Sequence, residues 1–159
     1  MSIAVCYNIG IDNICLSERR NAMYLTVKQQ LNHLSKADFE TLRELSHIAK
    51  SLMNQAIYNV RQYYFAEKKY LRYEKNYALL KSSENYRLLN SNMAQQILKE
   101  ADGCFKSFFG LMHKAENGEY DREKCKLPHY LPKDGFTTLV IGFVRLNGNQ
   151  LILPFSNTF

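Results

Sequence analysis

The sequence predicts an α+β fold in which a helical bundle is inserted into a small β-barrel-like domain. Residues 24–31, YLTVKQQL, are rich in the β-branched and aromatic residues typical of a strand. Helical periodicity of apolar residues fills the middle of the chain. Near the end, apolar segments flank Asn147 and Gly148, a pair typical of a tight hairpin turn. Strands on both sides of a helical region predict one sheet whose strands are distant in sequence.

Composition indicates a folded protein with a basic surface. Of the 159 residues, 46% are hydrophobic and 23% charged, which excludes a disordered polar chain. The net charge of +6 suits a polyanionic partner. The cysteines and histidines show no metal-ligand spacing, and no apolar run approaches the roughly 20 residues that span a bilayer. We therefore expect a cytoplasmic protein with no metal and no cofactor.

The patterns divide the chain into three parts. Residues 1–22 are an unassigned N-terminal extension. Residues 23–34 and 116–159 have β-like content and are predicted to form one β-rich domain. Residues 35–115 are predicted to form the helical bundle.

The first predicted helix follows a capping box at Ser35 and Asp38 and runs to about Ala66. Its opposite side carries polar side chains three or four residues apart, here called the polar stripe: Arg43, His47, Lys50, Asn54, Tyr58 and Arg61. Such a stripe is typical of a helix lying along a phosphate backbone. A solvated helix face has the same pattern, so both interpretations stay open.

Residues 63–86 alternate aromatic and charged residues and predict a second, shorter helix closed at Ser82 and Ser83. Its basic residues form the densest positive patch of the chain, here called the basic cluster: Lys68, Lys69, Arg72 and Lys75. Tyrosines interleaved with these cations favour nucleic-acid binding over a plain charged surface.

The third predicted helix runs from Asn90 to Lys114, with Asn90 or Ser91 as its cap and Gly118 just beyond its end. Its predicted buried face comprises Met93, Ile97, Ala101, Cys104, Phe105, Phe108, Phe109 and Met112. Its predicted solvent face comprises Gln95, Lys99, Asp102, Lys106 and His113. Beyond it, the prolines of LPHYLPKDG exclude helix, and two strands are predicted around Asn147 and Gly148.

The order of these blocks resembles the N-terminal half of the TnpB (OrfB) proteins of insertion-sequence transposons. The resemblance covers nearly all of residues 24–154. It rests on the ordered blocks LSHIAKSLMNQAIYNVRQYYF, YLRYEKNYALLK, NSNMAQQILKEADGCFKSFFGL, LPHYLPKDGFTTLVI and LNGNQLILP.

This resemblance implies a wedge domain, a β-barrel, interrupted by a helical recognition domain. Members of the family are RNA-guided DNA endonucleases, related to the type V CRISPR effectors. Their wedge and recognition domains hold the guide RNA and read a short target-adjacent motif in duplex DNA. By position in the matching blocks, motif reading falls on Tyr73, Tyr77, Asn92, Gln96 and Thr137.

The polar stripe, apart from His47, and the basic cluster are predicted, with Lys133, to contact nucleic-acid backbones. The resemblance implies guide RNA and double-stranded DNA as partners. In the family a RuvC nuclease domain follows the last wedge strand, and this sequence contains none. The chain is therefore expected to bind without cutting DNA, with a separate chain carrying the nuclease domain as a conceivable further partner.

Two other functions are compatible with the sequence. The helix from Arg43 to Arg61 would be part of a helix-turn-helix in a DNA-binding transposase domain or regulator, although no tight turn into a recognition helix follows Arg61. Alternatively, the chain is a truncated remnant that acts as a protein-interaction module.

Overall fold

A computed structural model describes residues 34–142, 144–147 and 150–153 of the chain. The first helix, α1, spans Lys36–Glu67. The Oγ of Ser35 accepts a hydrogen bond from the backbone N–H of Asp38 at 3.1 Å and donates one to its carboxylate at 2.6 Å. Beyond the last turn, Lys68 adopts a left-handed conformation with φ 53°, and its N–H bonds the Tyr64 carbonyl. The predicted Ser35 cap and the extent of this helix are confirmed, but the Asp38 carboxylate bonds the Ser35 hydroxyl and not its backbone N–H, as a capping box would.

Two short helices follow. α2 spans Tyr73–Leu80, close to the second helix that the sequence predicts. α3 spans Glu84–Leu88 and was not predicted, because five residues are too few to show a helical period. Ser83 begins it by accepting a hydrogen bond from the N–H of Tyr86.

The last helix, α4, spans Ser91–Glu116. The Oδ1 of Asn90 accepts a hydrogen bond from the N–H of Asn92 at 2.9 Å, which caps the first turn. Gly118 lies just beyond the helix with φ 76°, a conformation that glycine adopts at little cost. Both predicted ends of this helix are confirmed.

The core lies where α1 packs against α2, α3 and α4. Its most buried side chains belong to α1 and α4: Leu45, Leu52, Ile57, Val60, Met93, Ile97, Leu98 and Phe105. The predicted apolar face of α4 is wrong at Cys104, which is exposed, and its predicted solvent face is wrong at Asp102, which is 8% exposed. Within the described ranges, no helix has an apolar stretch long enough to cross a bilayer.

After a 3-10 helix at Arg122–Lys124, the chain runs back along α1. Residues 127–141, here called the return segment, form neither helix nor strand. A turn closed by the N–H of Gly135 and the carbonyl of Pro132 at 3.0 Å interrupts the segment. Near its end, Leu139 and Ile141 are buried in the core between the helices.

A hairpin follows the return segment. Strands β1, Arg145–Asn147, and β2, Gln150–Ile152, pair antiparallel, with Asn147 opposite Gln150. The predicted hairpin is therefore present, although each strand has only three residues.

The predicted β-barrel-like domain is wrong for the part of the chain that the structure describes. That part is mostly helical, and its one sheet is the two-stranded hairpin. The return segment cannot form a regular strand because Pro128 and Pro132 lack the backbone N–H that a ladder needs, and its carbonyls bond to side chains of α1. The predicted strand at residues 24–31 and the extension at 1–22 lie outside the described residues.

Candidate nucleic-acid interface

Much of the α1 polar face holds the return segment rather than facing solvent. Five side chains of α1 meet backbone carbonyls that lie two or three residues apart in a chain running in the opposite direction. The pairs are Ser46 with Thr137, His47 with Gly135, Lys50 with Lys133, Asn54 with Leu131 and Arg61 with Pro128. Four of these five side chains belong to the predicted polar stripe, and their partner is the protein's own backbone.

Two of these contacts are made by charged side chains, those of Lys50 and Arg61. Lys50 is 5% exposed, and its ammonium donates to the Lys133 carbonyl at 2.6 Å. Arg61 donates through Nη1 to the Pro128 carbonyl at 3.0 Å, and its guanidinium lies 5.0 Å from the ring centroid of Tyr130. Lys50 therefore offers little surface to a phosphate backbone, and its predicted contact with one stays a prediction.

Three members of the polar stripe are exposed: Arg43, His47 and Tyr58. Tyr58 is 53% exposed. Arg43 lies 5.7 Å from the ring of Phe136, on the wall of an open groove of about 400 Å³. Three carboxylates line the same groove, those of Glu40, Glu44 and Asp134. These carboxylates would repel a phosphate, so the Arg43 groove is a poor phosphate site.

The basic cluster lies at the junction of α1 and α2, and all its side chains are exposed. Ion pairs within the described ranges join Lys36 to Glu40, Lys106 to Asp102 and Lys124 to Asp121. None of them involves the basic cluster. Its four charges are therefore unneutralised by any ion pair among the residues that the structure covers, and they are available to a polyanion.

Tyr73 and Tyr77 stand next to this cluster on α2. Their rings are stacked, with centroids 6.0 Å apart and planes 22° apart. Tyr77 also meets the ring of Tyr86 edge-on at 5.9 Å. Burial raises the pKa of Tyr73 and that of Tyr86 above the ordinary value of a phenol. The structure thus brings together two of the predicted motif-reading residues.

Asp102 holds the start of α2 through a hydrogen bond to Tyr73. The sequence pattern placed it on a solvent face and did not predict this structural role. Its Oδ1 accepts hydrogen bonds from the Tyr70 hydroxyl and, at 3.0 Å, from the N–H of Tyr73. Its Oδ2 pairs with Lys106 at 2.7 Å. Burial and then the Asp102 hydrogen bond raise the pKa of Tyr70. The carboxylate therefore positions the helix that carries Tyr73 and Lys75. A negative charge near an N-terminus also stabilises the helix dipole.

The other predicted motif readers lie apart from the tyrosine pair in their contacts. Asn92 and Gln96 are one turn apart on α4, and the Oδ1 of Asn92 accepts a hydrogen bond from the N–H of Gly142 at 3.2 Å. Thr137 is held against the N-terminal half of α1, where its N–H donates to the Ser46 carbonyl at 3.4 Å and its own carbonyl accepts from the Ser46 hydroxyl. Asn92 and Thr137 thus tie the C-terminal residues to two different helices.

A second open groove, here called the Gln55 groove, has a volume of about 420 Å³. It was not predicted from the sequence. Its lining comprises Ser51, Asn54, Gln55, Tyr58, Asn59, Leu80 and Tyr130. The Oε1 of Gln55 is buried and has no hydrogen-bond donor within the described ranges. The position of Gln55, three residues before Tyr58 and so beside it on α1, was the one signal that could have indicated this site.

Among the residues that the structure describes, no group of three or more His, Cys, Asp or Glu side chains is arranged to hold a metal ion. Comparison of the chain with protein-family models, with curated proteins and with solved structures finds no match.

Proposed function

We propose that this chain binds nucleic acid, as the guide-RNA- and target-adjacent-DNA-binding part of a TnpB-like transposon protein, and does not itself cleave DNA. The observation that carries this function is the basic cluster: four exposed cations within eight residues, none in an ion pair with a described acid. Such charges bind polyanions by releasing condensed counterions.

The tyrosine pair supports the same function. Half-buried stacked rings next to exposed cations let a base or sugar pack on an aromatic face while a phosphate meets Lys or Arg. Asp102 holds Tyr73 in place before any ligand binds, which lowers the entropy that binding must overcome. RNA and duplex DNA are named as partners from the sequence resemblance alone.

The helix-turn-helix alternative fits the geometry less well. A recognition helix needs its polar side chains free to enter the major groove. Lys50, Asn54 and Arg61 on α1 are instead bonded to the return segment.

The test is binding of the purified chain to RNA transcribed from the flank of its own locus, to an unrelated RNA of equal length, and to duplex DNA. A variant with the four cluster residues changed to Gln is compared with a control that removes the same charge from dispersed positions: Lys36, Lys81, Arg87 and Lys114. Selective binding of the local RNA that only the cluster variant loses supports the function.

Three results count against it. Equal weak binding to both RNAs together with concentration-dependent self-association favours an interaction module. Equal losses in both variants indicate a response to net charge alone. Metal-dependent cleavage of DNA by the purified chain contradicts a purely binding role.

A further inference from the structure

Phe65 is an exposed aromatic residue at the C-terminal end of α1. It is 49% exposed and lies in the last turn of the helix, which ends at Glu67. Its ring meets that of Tyr64 at a centroid distance of 6.1 Å, and the Arg61 guanidinium lies over it at 5.8 Å. These contacts hold the ring in place and still leave about half of the residue in solvent. An exposed phenylalanine ring offers apolar surface that a flat partner can cover.

The basic cluster begins directly beyond this ring. Lys68 follows Phe65 by three residues, and its N–H bonds the Tyr64 carbonyl at 2.9 Å, so the helical turn continues to Lys68. Residues three apart in such a turn are neighbours on the surface. The same stretch contains the acids Glu67 and Glu74, but among the residues that the structure describes neither forms an ion pair with the cluster. A flat apolar ring and an excess of positive charge therefore lie side by side.

A nucleotide presents the two groups that complement this surface. Its base has flat faces that stack on aromatic side chains, and its phosphate is an anion joined to the same sugar. The faces of bases inside a duplex are covered by neighbouring bases, so an aromatic side chain stacks on unpaired bases that are splayed out.

From this placement we propose that Phe65 stacks on one unpaired base of a single-stranded RNA whose phosphates contact the basic cluster. The inference rests on the proposed nucleic-acid-binding function and adds selectivity for a single strand. The cations alone do not supply that selectivity, because they contact the phosphates of single and double strands alike.

A second exposed phenylalanine on the same helix provides a matched control. Phe39 is 45% exposed and lies about 39 Å from Phe65 along the axis of α1. Its neighbours in sequence are Asp38 and Glu40, whose carboxylates would repel a phosphate. The two residues match in type, helix and exposure but differ in the charge beside them. Phe39→Ala therefore reports the general effect of removing an exposed ring.

The test measures binding of a labelled single-stranded RNA, the same RNA carrying abasic positions, and a duplex of the same sequence, by fluorescence anisotropy at low salt. Phe65→Ala is expected to weaken binding of the intact single strand about tenfold, the size of one stacking interaction. Binding of the abasic RNA and of the duplex should not change. Phe65→Tyr keeps a flat ring and should bind the intact RNA like the unmodified chain. Phe39→Ala should leave all three affinities unchanged.

The outcomes separate this inference from the proposed function. If Phe65→Ala binds the intact RNA as tightly as Phe39→Ala does, while the basic-cluster variant is weakened, the stacking inference is wrong and the proposed function stands. Equal losses for intact and abasic RNA would also overturn the inference, because they would show that no base meets the ring. A tenfold loss in Phe65→Tyr would overturn it as well, since that variant keeps the stacking surface. If the unmodified chain binds no RNA at low salt, both are wrong.

Discussion

The side-chain amide of Asn54 pairs with both backbone groups of Leu131: Nδ2 donates to the carbonyl at 3.0 Å, and Oδ1 accepts from the N–H at 2.8 Å. A neighbouring strand makes the same pair of bonds in a sheet. Here a helix side chain replaces the strand. This explains how the return segment satisfies its backbone while lying against a helix, and it places Tyr130 at the edge of the Gln55 groove.

Asn54→Ala should lower the free energy of unfolding by about 2–3 kcal/mol, because it removes two hydrogen bonds and leaves half-buried backbone groups of Leu131 without partners. Urea unfolding measures the change. Gln62→Ala, at an exposed site on the same helix, is the control. Equal effects of the two substitutions would show that Asn54 does not hold the return segment.

Lys50→Met and Lys69→Met make the same chemical change at a buried and an exposed lysine. Lys69→Met should weaken RNA binding roughly two- to fivefold, the range of one exposed ion pair. Lys50→Met should leave RNA affinity unchanged, because its ammonium already binds the Lys133 carbonyl. Anisotropy titrations at one salt concentration test the pair, and equal losses would contradict this assignment of the two side chains.

Tyr70→Phe should reduce stability at neutral pH by about 1.5 kcal/mol, the lower range for a hydrogen bond to a charged group. It should also flatten the alkaline loss of stability. Burial and Asp102 raise the pKa of Tyr70 in the folded state, whereas the unfolded phenol titrates near 10. Above about pH 10 the unfolded state therefore releases a proton that the folded state keeps, and stability falls as pH rises.

Urea unfolding at several pH values between neutral and strongly alkaline measures this slope for both proteins. Burial also raises the pKa of Tyr73 and that of Tyr86, so part of the slope should remain in the variant. An identical slope with and without the Tyr70 hydroxyl would contradict its contribution.

Asn92→Ala and Gly142→Ala should each reduce stability by about 1 kcal/mol through the same contact. The first removes the acceptor of the Gly142 N–H, and the second adds a Cβ that would overlap the Asn92 Oδ1. The double variant should cost little more than either single one. Additive losses in a double-mutant cycle would show that the two residues act separately.

The sequence predicted the helices well because their signals are local. Ser35 and Asn90 mark helix starts through side-chain oxygens that accept from nearby backbone N–H groups, and Gly118 marks a helix end through its positive φ. Apolar spacing marks the buried faces. The errors on α4 have a non-local cause. Asp102 has few local signs of burial, since its partner Tyr70 lies 32 residues away in the chain.

The wrong fold class and much of the candidate site have the same origin. The sequence pattern of Lys50, Asn54 and Arg61 is the same whether these side chains meet water, phosphate or protein backbone. Their backbone partners lie 83, 77 and 67 positions away, respectively. Only the three-dimensional contacts distinguish these cases. Gln55 stayed unnoticed because its spacing of three from Tyr58 does not reveal that its oxygen is unpaired.

Salt dependence of RNA binding tests the central claim most directly. For single-stranded RNA the slope of log affinity against log salt is about 0.7 for each neutralised phosphate. The unmodified chain should give a steep slope, and changing Lys68, Lys69, Arg72 and Lys75 to Gln should reduce it by roughly 2 to 3. The control that removes Lys36, Lys81, Arg87 and Lys114 should keep most of the slope. A flat slope in the unmodified chain, or equal slopes in the cluster variant and the unmodified chain, would contradict a nucleic-acid interface at the basic cluster.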